Sequence, residues 1–465
     1  MSSTFGALNT AFTGMTAARK GMELAGHNIA NANTDGYTRQ RINTSGASAP
    51  AQTGLFTGKP QPGQGVSVDQ IARLGDVFAD ARVRSTAADA GYAGVRVDAL
   101  ASIEATLREP GKDGLSAKLD AFWGAWADVS NQPGEAAPAA VVLKSAAALA
   151  GDLSKAYSEL DEQWSSAHAK TGGMLDDLNS AASQVAVLNG QIRSTLNAGG
   201  SANELIDQRD LLAVSVASLA GGTVRDKGDG TIDILVGGNA IVSGTESRTV
   251  KMAGSFTMAG AAASPVQLEW ADKPGQPLAL TGGKLAGAIS VLAPASGGTG
   301  GPIAEAAAAY NALAQTLAAD VNAAHQAGAA PDGTTNLSFF AFKPGVPAAQ
   351  GLTVVPTSAA EIASGTPGKG GLDGSNADAI SQIGARKVSP NSQWSSFVTK
   401  FGVAAKSENL QGQLTESAAN SAAQNQLAGA SVNLDEENVN LLGYQRAFEA
   451  SARVYSALDQ ALDTL

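Results

Sequence analysis

Two stretches decide the reading of this chain: FGALNTAFTGMTAARKGMELAGHNI, from Phe5 to Ile29, and LLGYQRAFEASARVYSALDQALDTL, from Leu441 to Leu465. In the first, Phe5, Leu8, Phe12 and Met15, then Met22 and Ile29, recur at three- and four-residue steps. In the second, Leu441, Tyr444, Phe448, Tyr455, Leu458, Leu462 and Leu465 do the same. That is heptad spacing, the mark of helices that pair along an apolar seam. Chain ends are more often polar and poorly ordered, so two apolar ends predict that they pair, with each other and with further copies. An ordinary amphipathic helix on a globular core has the same spacing and stays open as an alternative.

A size estimate separates the two ends from a self-sufficient domain. Burying the six large side chains of the first stripe gains about 9–18 kcal/mol, whereas ordering its backbone costs about 1–2 kcal/mol per residue. Arg19 and Gly26 fall on predicted seam positions, and Gly6, Gly14 and Gly21 lower helix propensity. The terminal helices are therefore expected to order fully only on assembly.

The segment after the first stripe, NIANANTDGYTRQR from Asn28 to Arg41, reads as a helix stop followed by an extended strand. Asn31, Asn33, Asp35 and Gly36 form the turn, with Gly36 free to take positive φ, and Tyr37 and Arg39 begin the extended part. Before the second stripe, Asn433 suits an N-cap with Glu436 three residues on, and Asp435 and Glu437 favour the helix N-terminus.

These residues carry a family resemblance. The Asn28–Arg41 run resembles the signature of bacterial flagellar rod, hook and hook-associated proteins, and Ser431–Leu465 resembles the matching C-terminal end of that family. The YTRQR ending, the run from Gly63 to Ser85 and NELIDQRDLL from Asn203 to Leu212 resemble the hook-associated branch, whose members join hook to filament. The resemblance covers about the first 110 and last 35 residues and the helical middle, and is absent from about 221 to 300 and 331 to 390. It implies a structural part of the flagellum, exported through the flagellar type III apparatus with an uncleaved N-terminus. The partners implied are copies of the chain in a ring or tube, the hook protein, the next hook-associated junction protein and an export chaperone. The assembly interface implied comprises the stripe residues above together with Asn31, Gly36, Tyr37 and Arg39. Family members often carry a large β-rich insertion late in the chain, and here that region is short and Gly-rich.

Between the ends the pattern is mainly helical. Val77–Leu107, the 115–131 stretch stopped by Asn131-Gln132-Pro133-Gly134, a long helix from about Lys144 to Asn197 with a possible bend at Gly172-Gly173, and a segment spanning Ile303 to Val321 predict an antiparallel bundle. From Thr223 to Val242 the period changes to two between Gly-rich turns, predicting short antiparallel strands. The expected fold class is mainly α with a small β element. The expected organisation is a terminal helical domain (1–62 with 410–465), a helical bundle (63–220 with 291–330 and 375–409), a β element (221–290) and a Gly-rich loop region (331–374). The last two are expected to face outward and to tolerate change.

Signs of chemistry are sparse. DKGDGTID resembles a calcium loop only superficially, since Gly228 replaces the second oxygen ligand and no Glu stands at the twelfth position. His27, His168 and His325 are far apart, and Gly282-Gly283-Lys284 is followed by Leu285, so neither a metal site nor a phosphate loop is predicted. No cofactor and no catalytic residues are expected. The 465 residues contain no cysteine, which excludes disulfides and thiolate metal sites. No uninterrupted apolar run approaches the length of a membrane span, and Met1–Ile29 is a poor secretory signal. A net charge of -11 without a Lys/Arg cluster opposes nucleic-acid binding. Two classes remain: a structural adaptor of the flagellum, with a hook or rod protein as its nearer rival, and an extracellular ligand-binding protein or enzyme on a helical stalk.

Overall fold

The helix stops act where the sequence places them. In the computed structural model, which describes residues 4–47 and 63–464, α1 (Thr4–Ala30) ends at the Asn-rich turn. Gly36 in that turn has φ +74°, and a Cβ there would stand 2.5 Å from the Leu211 side chain, so conformation and space both require glycine. β1 (Gln40–Gly46) then pairs antiparallel with β2 (Val66–Arg73). α2 (Val77–Leu107) and α3 (Leu115–Asn131) match the spans read from spacing. α4 (Ala136–Asn197) starts earlier than the expected Lys144 because its Ala-rich opening is a strong helix former and Pro138 sits in the first turn, where it disrupts no bond. It runs as helix through Gly172-Gly173.

α5 (Asn203–Ala220) ends at Gly221 in the left-handed conformation. A four-stranded antiparallel sheet follows, in the order β3 (Thr223–Asp226), β4 (Ile232–Val236), β5 (Asn239–Ser243), β6 (Glu246–Ser247). DKGDGTID is the β3–β4 hairpin turn: Asp226 Oδ1 accepts from Gly228 N at 2.8 Å and Asp229 Oδ1 from Thr231 N at 2.9 Å. β7 (Val250–Ala253) pairs with β8 (Gln267–Trp270). Then come α6 (Gly283–Leu292), α7 (Pro302–Ala327), β9 (Phe340–Phe342), α8 (Ala348–Gly351), β10 (Leu352–Val354), α9 (Ser375–Ser381), α10 (Pro390–Ala430) and α11 (Leu434–Asp463).

The chain groups into two units: Met1–Ala87 with Leu178–Arg248 and Ser417–Leu465, and Ala88–Asp177 with Thr249–Glu416. The grouping adds 178–248 to the chain ends, and the single β element expected at 221–290 is divided, β3–β6 going to the first unit and β7–β8 to the second.

The second unit holds one large core. Trp126, Trp164, Phe122, Phe339, Tyr310 and Trp394 are fully buried in it, each gaining about 1.5–3 kcal/mol by leaving water. Two of the indole N–H groups are satisfied there, Trp164 by Leu292 O at 3.2 Å and Trp394 by Glu109 Oε1 at 3.0 Å. The opening of α4 is long and apolar enough, by length and composition, to cross a membrane, yet Val142, Ala146 and Leu149 within it belong to this core.

Residues 331–374 differ from the outward loops expected. β9 and β10 pair, Phe339 and Phe340 are buried, and His325 holds the segment from both ring nitrogens: Nδ1 donates to Leu337 O at 2.7 Å and Nε2 accepts from Ala363 N at 2.9 Å. Gly365 also exchanges backbone hydrogen bonds with Ala329 in both directions, at 2.7 and 3.1 Å. The glycine count concealed these ties, because turns that fold back onto a core have the same composition as free loops.

Candidate assembly interface

Within the first unit α1 packs along α11, and side-chain size decides which faces meet. On α1 the face turned to α11 is Ala11, Gly14, Ala18, Gly21, Ala25 and Asn28, at steps of three and four; Gly14 is half-buried and the others are buried. On α11 it is Glu437, Leu441, Tyr444, Phe448 and Ser451, continuing to Leu458 and Leu462. A Cβ at Gly21 would stand 2.5 Å from the Tyr444 ring and one at Gly14 would stand 3.0 Å from Ser451 Oγ, while Asn28 Nδ2 donates to Glu437 Oε2 at 3.1 Å. The three pairings advance by seven residues on each helix in opposite directions, so the pair is an antiparallel heptad match. Large residues on one helix meet small ones on the other, which sets the axes close together.

The stripe read from the sequence on α1 is therefore displaced by one residue, about 100° around the helix. Phe5 (72% exposed) and Phe12 (55%) face outward from the α1–α11 pair, and Leu8, Met15, Met22 and Ile29 are half-buried. Arg19 and Gly26, expected as seam flaws, share this outer stripe: Arg19 pairs on the surface with Glu23 at 3.3 Å, and space around Gly26 is open. Gly14 and Gly21 are not flaws but the positions that admit Ser451 and Tyr444. On α11, Leu441, Tyr444, Phe448, Leu458 and Leu462 lie on the face the spacing gave, half-buried, and Tyr455 is exposed. Leu465 lies outside the described residues.

At the end of the seam a polar node ties the strand to both helices. Asn28 is 1% exposed and its side chain makes four hydrogen bonds: Nδ2 donates to Gln40 O (2.9 Å) and Glu437, and Oδ1 accepts from Gln40 N (3.1 Å) and Tyr37 Oη (2.7 Å). Glu437, 3% exposed, also accepts from Arg39 Nε at 2.7 Å, and Arg39 reaches Glu436 at 2.7 Å. Asn433 caps α11, its Oδ1 accepting from Asp435 N and Glu436 N at 2.9 and 3.2 Å. Of the carboxylates that follow it, two therefore anchor an arginine brought from the other end of the chain. Burial raises the Tyr37 phenol above its ordinary value, and the carboxylates of Glu204, Asp207 and Glu437 push the same way. Asn31 closes α1, its Nδ2 donating to His27 O at 3.0 Å.

The node extends to α5. Gln40 Nε2 donates to Glu204 Oε1 (2.9 Å), Asn203 Nδ2 to Gln40 Oε1 (3.0 Å) and Thr38 N to Asp207 Oδ2 (3.1 Å), while Arg73 bonds Asp207 and Asp210 at 2.8 and 3.1 Å. Burial raises the Asp207 carboxyl despite its arginine. Sequence reading placed Asn31, Gly36, Tyr37 and Arg39 here and missed Asn28, Gln40, Arg73, Asp207 and Glu437. Their signal was present in the NELIDQRDLL motif and in the acidic start of α11. Among the described residues no group of His, Asp and Glu is arranged to hold a metal ion.

A seam between α1 and α11, flanked by an exposed apolar stripe and clasped by a buried polar node, is the build of a structural protein. The comparisons agree at both ends: residues 8–38 match the family described as flagella basal body rod protein, and 423–465 the C-terminal region of the flagellar basal body rod FlgEFG proteins. Residues 100–340, more than half of the chain, match the helical domain of flagellar hook-associated protein FlgK. The chain belongs to the flagellar hook-associated protein FlgK family, a family of structural proteins of the flagellar hook-filament junction and not of enzymes. It is 27% identical to flagellar hook-associated protein 1 of Bacillus subtilis across 100% of this chain and 98% of that one. It is 28% identical to the Escherichia coli protein of that name over 52% of this chain and 44% of that one. The solved hook junction protein FlgK from Burkholderia pseudomallei shares the fold, with a TM-score of 0.65 at 16% identity over 76% of this chain and all of the other.

Proposed function

We propose that the chain joins hook to filament as one subunit of a ring or tubular layer, with the two apolar stripes of α1 divided between two tasks. The small-residue face closes the subunit on its own α11. The large-residue stripe, Phe5 to Ile29, seats against the terminal helices of neighbouring subunits. The observation that carries this reading is the exposure of Phe5 and Phe12 beside a seam that is already filled. An exposed apolar helical face is a liability for a free subunit and an asset in a layer where every copy covers its neighbour's face. The layers contacted are hook protein on one side and the next hook-associated junction protein on the other. Delivery is by the type III export apparatus with its chaperone, outside the cell.

The test is complementation of a strain lacking the gene. A chain carrying Phe5→Asp and Phe12→Asp should be exported and folded yet leave hooks without filaments in electron micrographs. Normal filaments on that variant would overturn the reading.

A further inference from the structure

The second unit carries an apolar groove and an apolar helical stripe that match each other and cannot meet within one chain. The groove lies between α2 and α4 and is floored by Ala99, Ala167 and Met174, with Val291 of α6. Along α4 it runs from Gln163 to Asp177, about 21 Å at 1.5 Å per residue. Ala99 and Ala167 keep its floor low, and Asp98, Lys170 and Asp177 stand at its rim, two carboxylates to one ammonium.

The stripe is on α10. Val403 (67% exposed), Leu410 (52%) and Leu414 (66%), with Ser407 between them, recur at steps of four, three and four on one narrow face about 17 Å long. The opposite face of α10 is committed to α2: Glu408 pairs with Arg96 at 2.7 Å, and a Cβ on Gly412 would stand 2.9 Å from Val97. The stripe therefore points away from α2 and from the groove that α2 helps to line. Lys400 and Lys406 flank it, and neither they nor Asp98 and Asp177 have an ion-pair partner among the described residues.

We infer that the groove of one copy receives the α10 stripe of the next. Length, apolar lining and the acidic excess at the groove's rim against Lys400 and Lys406 fit this occupant, and a groove holding one apolar helix face is a common recognition mode. The contact uses two different faces of each copy, so it is heterologous and propagates around a ring or along a tube. It rests on the reading of the chain as a subunit of such a layer, and adds a contact made by the second unit to those made by the chain ends.

The absence of cysteine gives a clean test. Flagella are isolated from cells whose only copy of the chain carries Leu410→Cys together with Ala167→Cys, and treated with a short bis-maleimide. Cross-linked dimers and higher multiples that require both cysteines are expected; monomers only, in flagella that contain the chain, would overturn the contact. In a second arm, Leu410→Asp with Leu414→Asp should abolish motility while the purified full-length chain keeps its helical signal and melting temperature, and unchanged motility would overturn the proposal. An immunoblot of the unmodified chain keeps the two readings apart: its absence from isolated flagella sinks the junction reading itself, whereas its presence without cross-links in the double-cysteine variant sinks this contact alone.

Discussion

The core of the second unit and the α1–α11 pair of the first are both helical, yet they are finished to different degrees. Around Phe122, Trp126 and Tyr310 the side chains are fully buried from every direction by one chain. Along α11 the seam residues Leu441, Tyr444 and Phe448 are only half-buried, although α1 covers one side of them. The difference is one of neighbours: a helix in the core is surrounded, whereas each terminal helix packs along one other helix and keeps an outer surface. A protein that must stay a subunit until it reaches its place can keep one region complete and leave another to be completed by its neighbours.

The comparison is broken most directly by exchanging substitutions between the regions. Phe122→Ala should lower the stability of the second unit by about 3–5 kcal/mol, with assembly lost because the subunit unfolds. Phe12→Asp should change monomer stability by no more than about 0.5 kcal/mol and abolish assembly all the same. Denaturant melts of both variants beside a motility assay read the contrast, and a large loss of monomer stability in Phe12→Asp would show that α1 has no free face. Native-state hydrogen exchange sharpens the point: in the monomer, amides of 5–29 and 441–463 should be protected, but less than those of 100–164.

A smaller effect is expected at the seam. Gly21→Leu places a side chain where the Tyr444 ring lies and should cost about 1–3 kcal/mol, seen as faster exchange in α11 with the second unit unchanged. If α11 stays as protected as before, Tyr444 is not locked by the glycine. At the node, Glu437→Ala should cost a comparable or smaller amount, about 1–3 kcal/mol, because Arg39 keeps Glu436 and Asn28 keeps its bonds to Gln40. Protection lost over 28–40 but retained in the second unit is the pattern to look for.

The smallest effect is a pH dependence confined to the second unit. Burial lowers the His325 imidazole from its ordinary value of 6.5, so the native state stays neutral where the unfolded chain takes up a proton. The stability this provides is present above about pH 6.5 and is lost as pH falls below it toward the folded value. The melting temperature of the second unit should therefore drop between pH 7.5 and 5.5, and His325→Gln should flatten that slope; an unaltered slope would assign it to another group.

Much of this was legible in the sequence, and the errors have one cause. Heptad spacing gave α11 its correct face because that face is built of large residues. The same reading put the α1 seam one residue out, because it also followed Phe5, Phe12 and Met15, whereas the face that packs is Ala11, Gly14, Ala18 and Gly21. Hydrophobic spacing finds surfaces that need to be buried, and close packing of two helices needs room on one for bulk on the other. Glu437 was read as a helix-terminal carboxylate because its second role depends on Arg39, far away in the chain. The same holds for Gly365 and its bonds to Ala329: composition records which residues can turn, and contacts distant in sequence decide what they turn onto.

The node also acts as a gauge of length. Asn28 and Glu437 are 409 positions apart, and their bond, with that of Arg39 to the same carboxylate, closes only when both ends of one molecule are present. A chain truncated before residue 437 leaves Asn28 and Arg39 without that shared acceptor. A fragment that lacks the start of α11 therefore cannot close this latch.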